Sequence, residues 1–233
     1  MTSGVSRALA MAYGVASYLV FPASLFYAVG FVGNLFVPKS IDSGTTSPLP
    51  VTLLVDTLFL LLFAVPHSVM ARPAFKRWWT RFVPPPVERS TYVLTSSLLL
   101  GLLFWQWRPI PLIVWNVEYP AGRWLLHGVF WAGWALVLVS TLLIDHFDLF
   151  GLRQVSLYAA GREYTPPAFR TPGLYRYVRH PLMTGFALAF WATPTMTVGH
   201  LLFAVATTGY ILIAVRLEER DLVGFHGEQY RAY

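Results

Sequence analysis

Long apolar runs alternate with short polar gaps along this chain, and the runs are the right length for a membrane. A helix crossing a bilayer needs about 20 mostly apolar residues. That criterion predicts membrane helices over 10–36, 49–70, 91–107 and 124–144. The last apolar run, 182–215, is 34 residues long and contains Pro194. As one helix it would measure about 51 Å, against a hydrocarbon core of about 30 Å. It is therefore read as a hairpin, with a short, tilted or partly re-entrant fifth span over 181–192 and a sixth over 198–216. The expected fold is all-α: a polytopic integral membrane helical bundle of five to six membrane helices with a C-terminal helical hairpin. Residues 1–144 would form a four-span bundle. Residues 145–233, a polar loop followed by the hairpin and tail, would complete one integrated domain.

Arg7 precedes a run, 8–37, without a single charge. No polar mature region follows it, so a first membrane helix is favoured over a cleaved signal peptide. The basic residues then test the topology. Placing the N-terminus, the 71–90 and 145–180 loops and the C-terminus on one side collects 14 of the 17 Lys and Arg residues there. Lys39, Arg108 and Arg123 remain on the other. Basic loops favour the cytoplasm, so both termini are expected on the cytoplasmic side of the membrane. A straight last helix would put the C-terminal arginines outside and weaken that split.

Composition narrows the class further. Hydrophobic residues make up 56% and charged ones only 12%, half of what a soluble domain carries. There is no cysteine, which excludes a disulfide scaffold, thiolate nucleophiles and Cys-ligated metals. The net charge of +6 is assigned to loops facing anionic lipid head groups, and no nucleic-acid partner is expected. Histidine spacing specifies no metal site.

Ionisable residues in or beside membrane helices are costly and often functional. His67, Asp145, His146, His180, Glu218 and Glu219 all fall at the cytoplasmic ends of spans, whereas His127 and His200 lie toward the outer ends, where interfacial or interhelical hydrogen bonds account for them. Asp56 stands 11 residues before His67, on the same face of span two about three turns away. A helix–helix hydrogen bond and a functional role both remain open for it.

The hairpin carries the strongest chemical pattern. Pro181 suits a first helical position, which puts His180 at the cap and turns the free N–H groups of Leu182, Met183 and Thr184 toward the interface. With Arg179 this end attracts an anion. Span six ends at Glu218-Glu219, a pair unfavourable at a helix C-terminus and so in need of a cationic partner. Two readings stand: a structural salt-bridge cluster with Arg179, Arg216 and Arg220, or a clamp for a zwitterion such as the amino-acid part of S-adenosyl-L-methionine. Gly185, Ala189 and Ala192 would let span five pack closely on a neighbour.

Arg179-His180-Pro181 with Gly185, then Glu218-Glu219-x-x-Leu222 and Gly227-x-x-Tyr230-x-x-Tyr233, resembles the membrane methyltransferases of the isoprenylcysteine carboxyl methyltransferase and phospholipid methyltransferase type. Met183 stands where that family usually has an aromatic residue. The segment 145–154, DHFDLFGLRQ, joined to 171–183, is similar to the bacterial methanethiol S-methyltransferases of the nurim-like branch. The similarity runs over essentially the whole chain and is densest from 143 to 233; such relatives usually carry a short further tail.

The resemblance implies methyl transfer from S-adenosyl-L-methionine to methanethiol, giving dimethyl sulfide. The implied cofactor-binding residues are Tyr177, Arg179, His180, Pro181, Gly185, Glu218 and Glu219. An acceptor thiol needs a base or a positive environment, because free thiols ionise only near pH 8.5. His146 and His67 are candidate bases, Asp145 or Asp148 candidate orienting carboxylates, and Arg153 a charge that would favour the thiolate. Packing alone also explains His67, and a lipid-facing charge Arg153. The partners expected are a small thiol substrate and the bilayer; the oligomeric state is left open. Competing readings are an isoprenylcysteine or lipid-amine methyltransferase, a non-catalytic nurim-like membrane protein, and a transporter. The last is disfavoured by the few midplane charges and the lack of an inverted repeat.

Overall fold

The computed structural model describes residues 4–233 and is almost entirely helical. Helices α1 (Gly4–Gly33), α2 (Leu49–Ala71), α5 (Pro120–Ile144) and α9 (Val198–His226) are each long and apolar enough to cross a membrane. Helix α4 (Pro85–Gln106) packs on α1 and α2, while its first turn carries Glu88. It starts six residues before the predicted third span, because Pro84 and Pro85 supply a preset helical entry ahead of the apolar run. Short helices follow α2 and α5: α3 (Pro73–Trp79), α6 (His146–Leu149) and α7 (Leu152–Ala159).

The C-terminal hairpin forms with the short first arm expected of it, and departs from expectation in a β-ribbon at its turn and in the length of its second helix. Helix α8 (Pro181–Trp191) has 11 residues, about 17 Å of helix, and so reaches only partway through a bilayer. Strand β2 (Thr195–Thr197) then pairs antiparallel with β1 (Ile113–Asn116), with Trp115 opposite Met196. This ribbon closes the end of the bundle opposite the basic loops. Helix α9, for its part, does not stop at Arg216 but continues to His226, where Gly227 at φ +57° ends it. Glu218 and Glu219 therefore sit inside a helix two turns before its end. The segment 216–223 is rich in Arg, Leu and Glu, all strong helix formers, so the helix continues past its apolar part. A short terminal helix, α10 (Glu228–Arg231), folds back after it.

An aromatic core fills the half of the bundle near the ribbon. Phe31, Phe104, Trp107 and Phe203 are buried there, with Phe31 and Phe104 ring centroids 4.5 Å apart. Trp107 donates its indole N–H to Ile41 O at 3.1 Å. Asp56 is buried and accepts the backbone N–H of Arg108 at 2.8 Å, so it ties α2 to the end of α4. His200 is buried too and bonds Phe190 O on α8 at 2.8 Å. His127 is exposed on α5.

Helices α5 and α8 run antiparallel and meet backbone to backbone. A Cβ on Gly133 would lie 2.7 Å from Gly185 O and from Ala189 N; one on Gly185 would lie 2.7 Å from Gly133 O. Close approach of this kind needs residues without side chains at the crossing. Gly185 is thus buried one turn inside α8 against α5, where it permits close packing. Replacing it by Val should cost on the order of 1–3 kcal/mol and lower the unfolding temperature of the detergent-solubilised protein. Gly101→Ala in α4, where nothing lies within 4 Å of a new Cβ, should leave thermal stability unchanged or slightly raised.

Candidate functional site

The start of α8 and the extension of α9 converge at the basic end of the bundle. His180 caps α8, with Pro181 at the first helical position. The Thr184 N–H is taken by His180 O at 3.1 Å, so the free donors are those of Leu182 and Met183 alone. Across from them, two adjacent carboxylates bracket the His180 ring. Glu219 Oε1 lies 3.3 Å from Nε2, and Glu218 Oε2 lies 3.7 Å from Nδ1. Neighbours on a helix diverge by about 100°, which lets the pair reach opposite edges of one imidazole. Arg179 approaches Glu219 at 3.5 Å. Cationic and anionic groups from the two arms of the hairpin thus form one cluster. Glu218 keeps 45% of its side chain exposed and has acceptor capacity to spare.

Aromatic rings cover this cluster. The Arg179 guanidinium lies 5.6 Å from the Tyr230 ring centroid and 5.7 Å from that of Tyr233. Phe169 packs on both tyrosines, and the Tyr233 hydroxyl donates to Tyr175 O. Burial, together with the nearby Glu218 charge, pushes the Tyr175 phenol well above its usual range, and burial raises that of Tyr230. Both stay neutral and hold no charge of their own against the carboxylates. Tyr230 and Tyr233 belong to the spaced motif at the chain end, but nothing in the sequence marks Phe169 or Tyr175. Tyr177, expected in the site, is 86% exposed and has no part in the cluster.

A second polar group lies where α5 ends. His146 opens α6 and bonds Thr141 Oγ1 through Nδ1 at 3.0 Å and Tyr18 Oη through Nε2 at 2.9 Å. The Thr141 hydroxyl spends its proton on Leu138 O at 2.8 Å, so it can only accept from Nδ1–H. That fixes the tautomer: Nε2 is the bare nitrogen, and Tyr18 donates to it. Burial holds the His146 pKa below its ordinary value and keeps the ring neutral. Asp145 and Asp148 do not orient this histidine, because each is already committed. Asp145, at φ +111°, caps α6 by accepting the Asp148 N–H at 3.2 Å. Asp148 pairs with Arg153 at 3.0 Å, which also partly neutralises the charge expected to favour a thiolate. Hydroxyls of Tyr18 and Thr141 take the orienting place instead.

His67 faces α4 from α2. Its Nδ1 lies 3.0 Å from Ser96 Oγ and its Nε2 3.1 Å from Tyr92 Oη, with Phe63 stacked at 5.1 Å. Both nitrogens have partners and one ring face is covered, the pattern of a packed interhelical histidine.

The packing of α5 on α8 sets the spacing between the first two groups. Val137 touches Gly185, so one turn further along α5 brings Thr141, and with it His146, level with Pro181. A neutral base and a mixed-charge cluster therefore occupy one layer at the basic end.

Comparison with known proteins agrees with the motifs. The chain is 56% identical over 229 residues to a methanethiol S-methyltransferase of Mycobacterium tuberculosis, covering 98% of this chain and 94% of the relative. It is 58% identical over 228 residues to methanethiol S-methyltransferase 2 of Bradyrhizobium diazoefficiens, covering 98% and 88%. A nurim homologue of Drosophila pseudoobscura is 32% identical over 225 residues, covering 92% and 85%. No family model and no solved structure matches. With more than half of its residues shared over nearly its full length, the chain belongs to the methanethiol S-methyltransferase family.

Proposed function

We propose that this protein transfers a methyl group from S-adenosyl-L-methionine to methanethiol, at the cytoplasmic face of a bacterial inner membrane. The observation that carries the reading is the meeting of Arg179 and His180 with Glu218 and Glu219, in a chain whose relatives bear that activity in their names. The cluster suits a zwitterionic donor. Glu218 and Glu219 would take its ammonium group; Arg179 and the free N–H groups of Leu182 and Met183 would take its carboxylate. Half-exposed Glu218, held only by a 3.7 Å contact, is free to exchange its partner. When bound, the donor supplies a methyl carried by a sulfonium, and its sulfur leaves as a neutral thioether that needs no acid. The orientation follows from the basic loops gathered at the cluster's end.

The chain's own work is then positioning and proton removal. Alignment of acceptor and methyl can contribute up to about 7–11 kcal/mol. The Tyr230 and Tyr233 rings beside Arg179 lower the polarity on one side of the cluster, which favours a step in which opposite charges vanish. Neutral His146, with Nε2 bare, is the base that takes the thiol proton. Arg153 and Asp148 satisfy each other and hold α6 against α7.

Four measurements test this. Membranes given methanethiol and S-adenosyl-L-methionine should release dimethyl sulfide into the headspace, and membranes carrying Glu219→Ala should not; equal release from both overturns the site. His180→Ala or Glu219→Ala should weaken donor binding about 10- to 100-fold in calorimetry while the protein stays folded, the loss expected for a charged hydrogen bond. His146→Ala should lower kcat by about 10²–10⁴ with donor affinity nearly intact. The base must be neutral to act, and burial lowers its pKa, so wild-type kcat should fall only as pH drops below the ordinary histidine value of 6.5. Tyr18 from α1, Asp145 and Asp148 from its own turn and Arg153 from α7 are the titratable groups around it. The acid limb should vanish in His146→Ala.

A further inference from the structure

A groove of about 440 Å³ runs between α1 and the α6–α7 segment. Met11 and Val15 of α1 form one wall, and Asp145, Phe147, Leu152, Arg153 and Ser156 the other. Val15 and Phe147 are 39% and 57% exposed, so the groove is open along its length. Its surface is mostly apolar, with Asp145, Arg153 and Ser156 as its polar members, and none of the hairpin's charged residues lines it.

Tyr18 stands next to the groove, one step beyond Val15 along α1, without lining it. Met11, Val15 and Tyr18 are spaced four and three residues apart on α1, which puts them in one row on the helix face. The Tyr18 ring lies 6.3 Å from that of Phe147, which lines the groove, and its hydroxyl donates to His146 Nε2 at 2.9 Å. A hydroxyl whose proton is committed to an imidazole still has an oxygen lone pair to accept another proton. The row therefore leads from an open apolar trough to an oxygen already wired to the base. The volume falls in the range of small-ligand pockets and far exceeds what a thiol of two heavy atoms occupies.

We propose that the acceptor thiol lies in this groove, alkyl group against Met11, Val15 and Leu152 and sulfur at Tyr18, and that Tyr18 relays its proton to His146. This rests on the methyl transfer proposed above. The S–H proton passes to Tyr18 Oη as the tyrosine's own proton passes to His146 Nε2. The sulfur lone pair forms the new C–S bond while the donor's methyl–sulfur bond breaks, its electron pair remaining on the donor sulfur. The acceptor class is aliphatic thiols, with ethane- to butanethiol accepted beside methanethiol.

Full-length enzyme in nanodiscs is given S-adenosyl-L-methionine and alkanethiols of one to four carbons, with methyl thioethers read by gas chromatography and donor Kd by calorimetry. Wild type should methylate the whole series with kcat/KM within about tenfold. Val15→Trp should raise thiol KM at least tenfold, most for the longer chains, with donor Kd within twofold. Val15→Ala should favour the longer chains. Tyr18→Phe should lower kcat about 100-fold with methanethiol, make the rate rise about tenfold per pH unit below the thiol pKa, and recover with 2,2,2-trifluoroethanethiol, which ionises without help. Unchanged thiol KM in Val15→Trp, or Tyr18→Phe within threefold of wild type, overturns the groove and relay while leaving methyl transfer intact. A Tyr18→Phe variant that the acidic thiol does not restore overturns the relay as well. Wild type that makes no dimethyl sulfide overturns the underlying reading along with the groove.

Discussion

The backbone contact between Gly133 and Gly185 sets the geometry on which the rest depends. Two helices in lipid gain nothing from hiding apolar side chains from one another, so they associate through close packing and short contacts. Here the packing is closest where neither helix has a side chain, and a Cβ at either glycine would stand 2.7 Å from a carbonyl oxygen of the other helix. That crossing fixes the height of α8 relative to α5. An 11-residue helix cannot set its own depth in a bilayer by length; its neighbour and the β-ribbon set it instead. The start of α8 and the end of α5 are thereby brought level, and the charged cluster and the neutral histidine share one layer.

The two groups differ in how their protonation is controlled. Around His180 the ring meets carboxylates at both edges, and an arginine competes for one of them. That is an arrangement of full charges at a partly wet interface, where a ligand with charges of its own can trade places with them. Around His146 only hydroxyls and aromatic rings are in contact, with Phe150 edge-on at 4.8 Å. Desolvation there keeps the imidazole neutral, and the Thr141 hydroxyl, tied to Leu138 O, dictates which nitrogen is bare. The nearby carboxylates are absorbed in capping α6 and in pairing with Arg153. A charge-rich segment thus leaves one uncharged base beside it.

Most of the helices are legible in the sequence because run length is a direct physical criterion in a bilayer. The starts of α2 and α8 and the ends of α2 and α5 fall within a residue of the expected positions, since proline and polarity mark them. The course of α9 is not legible in the same way. Its last ten residues contain the charged run Glu218 to Asp221 and lie beyond the expected end at Arg216, yet helix formers carry the helix on, and the glutamates act from mid-helix. The expected third free N–H on Thr184 is lost because the first helical hydrogen bond forms one residue earlier than assumed. The β-ribbon is invisible as well, being two strands of three and four residues in turns that carry no alternating pattern.

The sequence by itself determined the membrane class, the hairpin, and the residues Arg179, His180, Glu218 and Glu219 that its two arms bring together. Composition and apolar run length act locally, and a chain cannot bury uncharged runs of this length elsewhere. Only the tertiary structure decided that Tyr18 meets His146, that Tyr230 and Tyr233 cover Arg179, that Asp148 is taken by Arg153, and that Gly185 serves packing. Each of these is a contact between segments distant in the chain or facing apart in one helix. Such contacts depend on helix register and crossing height, which side-chain volume at a few buried positions sets and which no local pattern encodes.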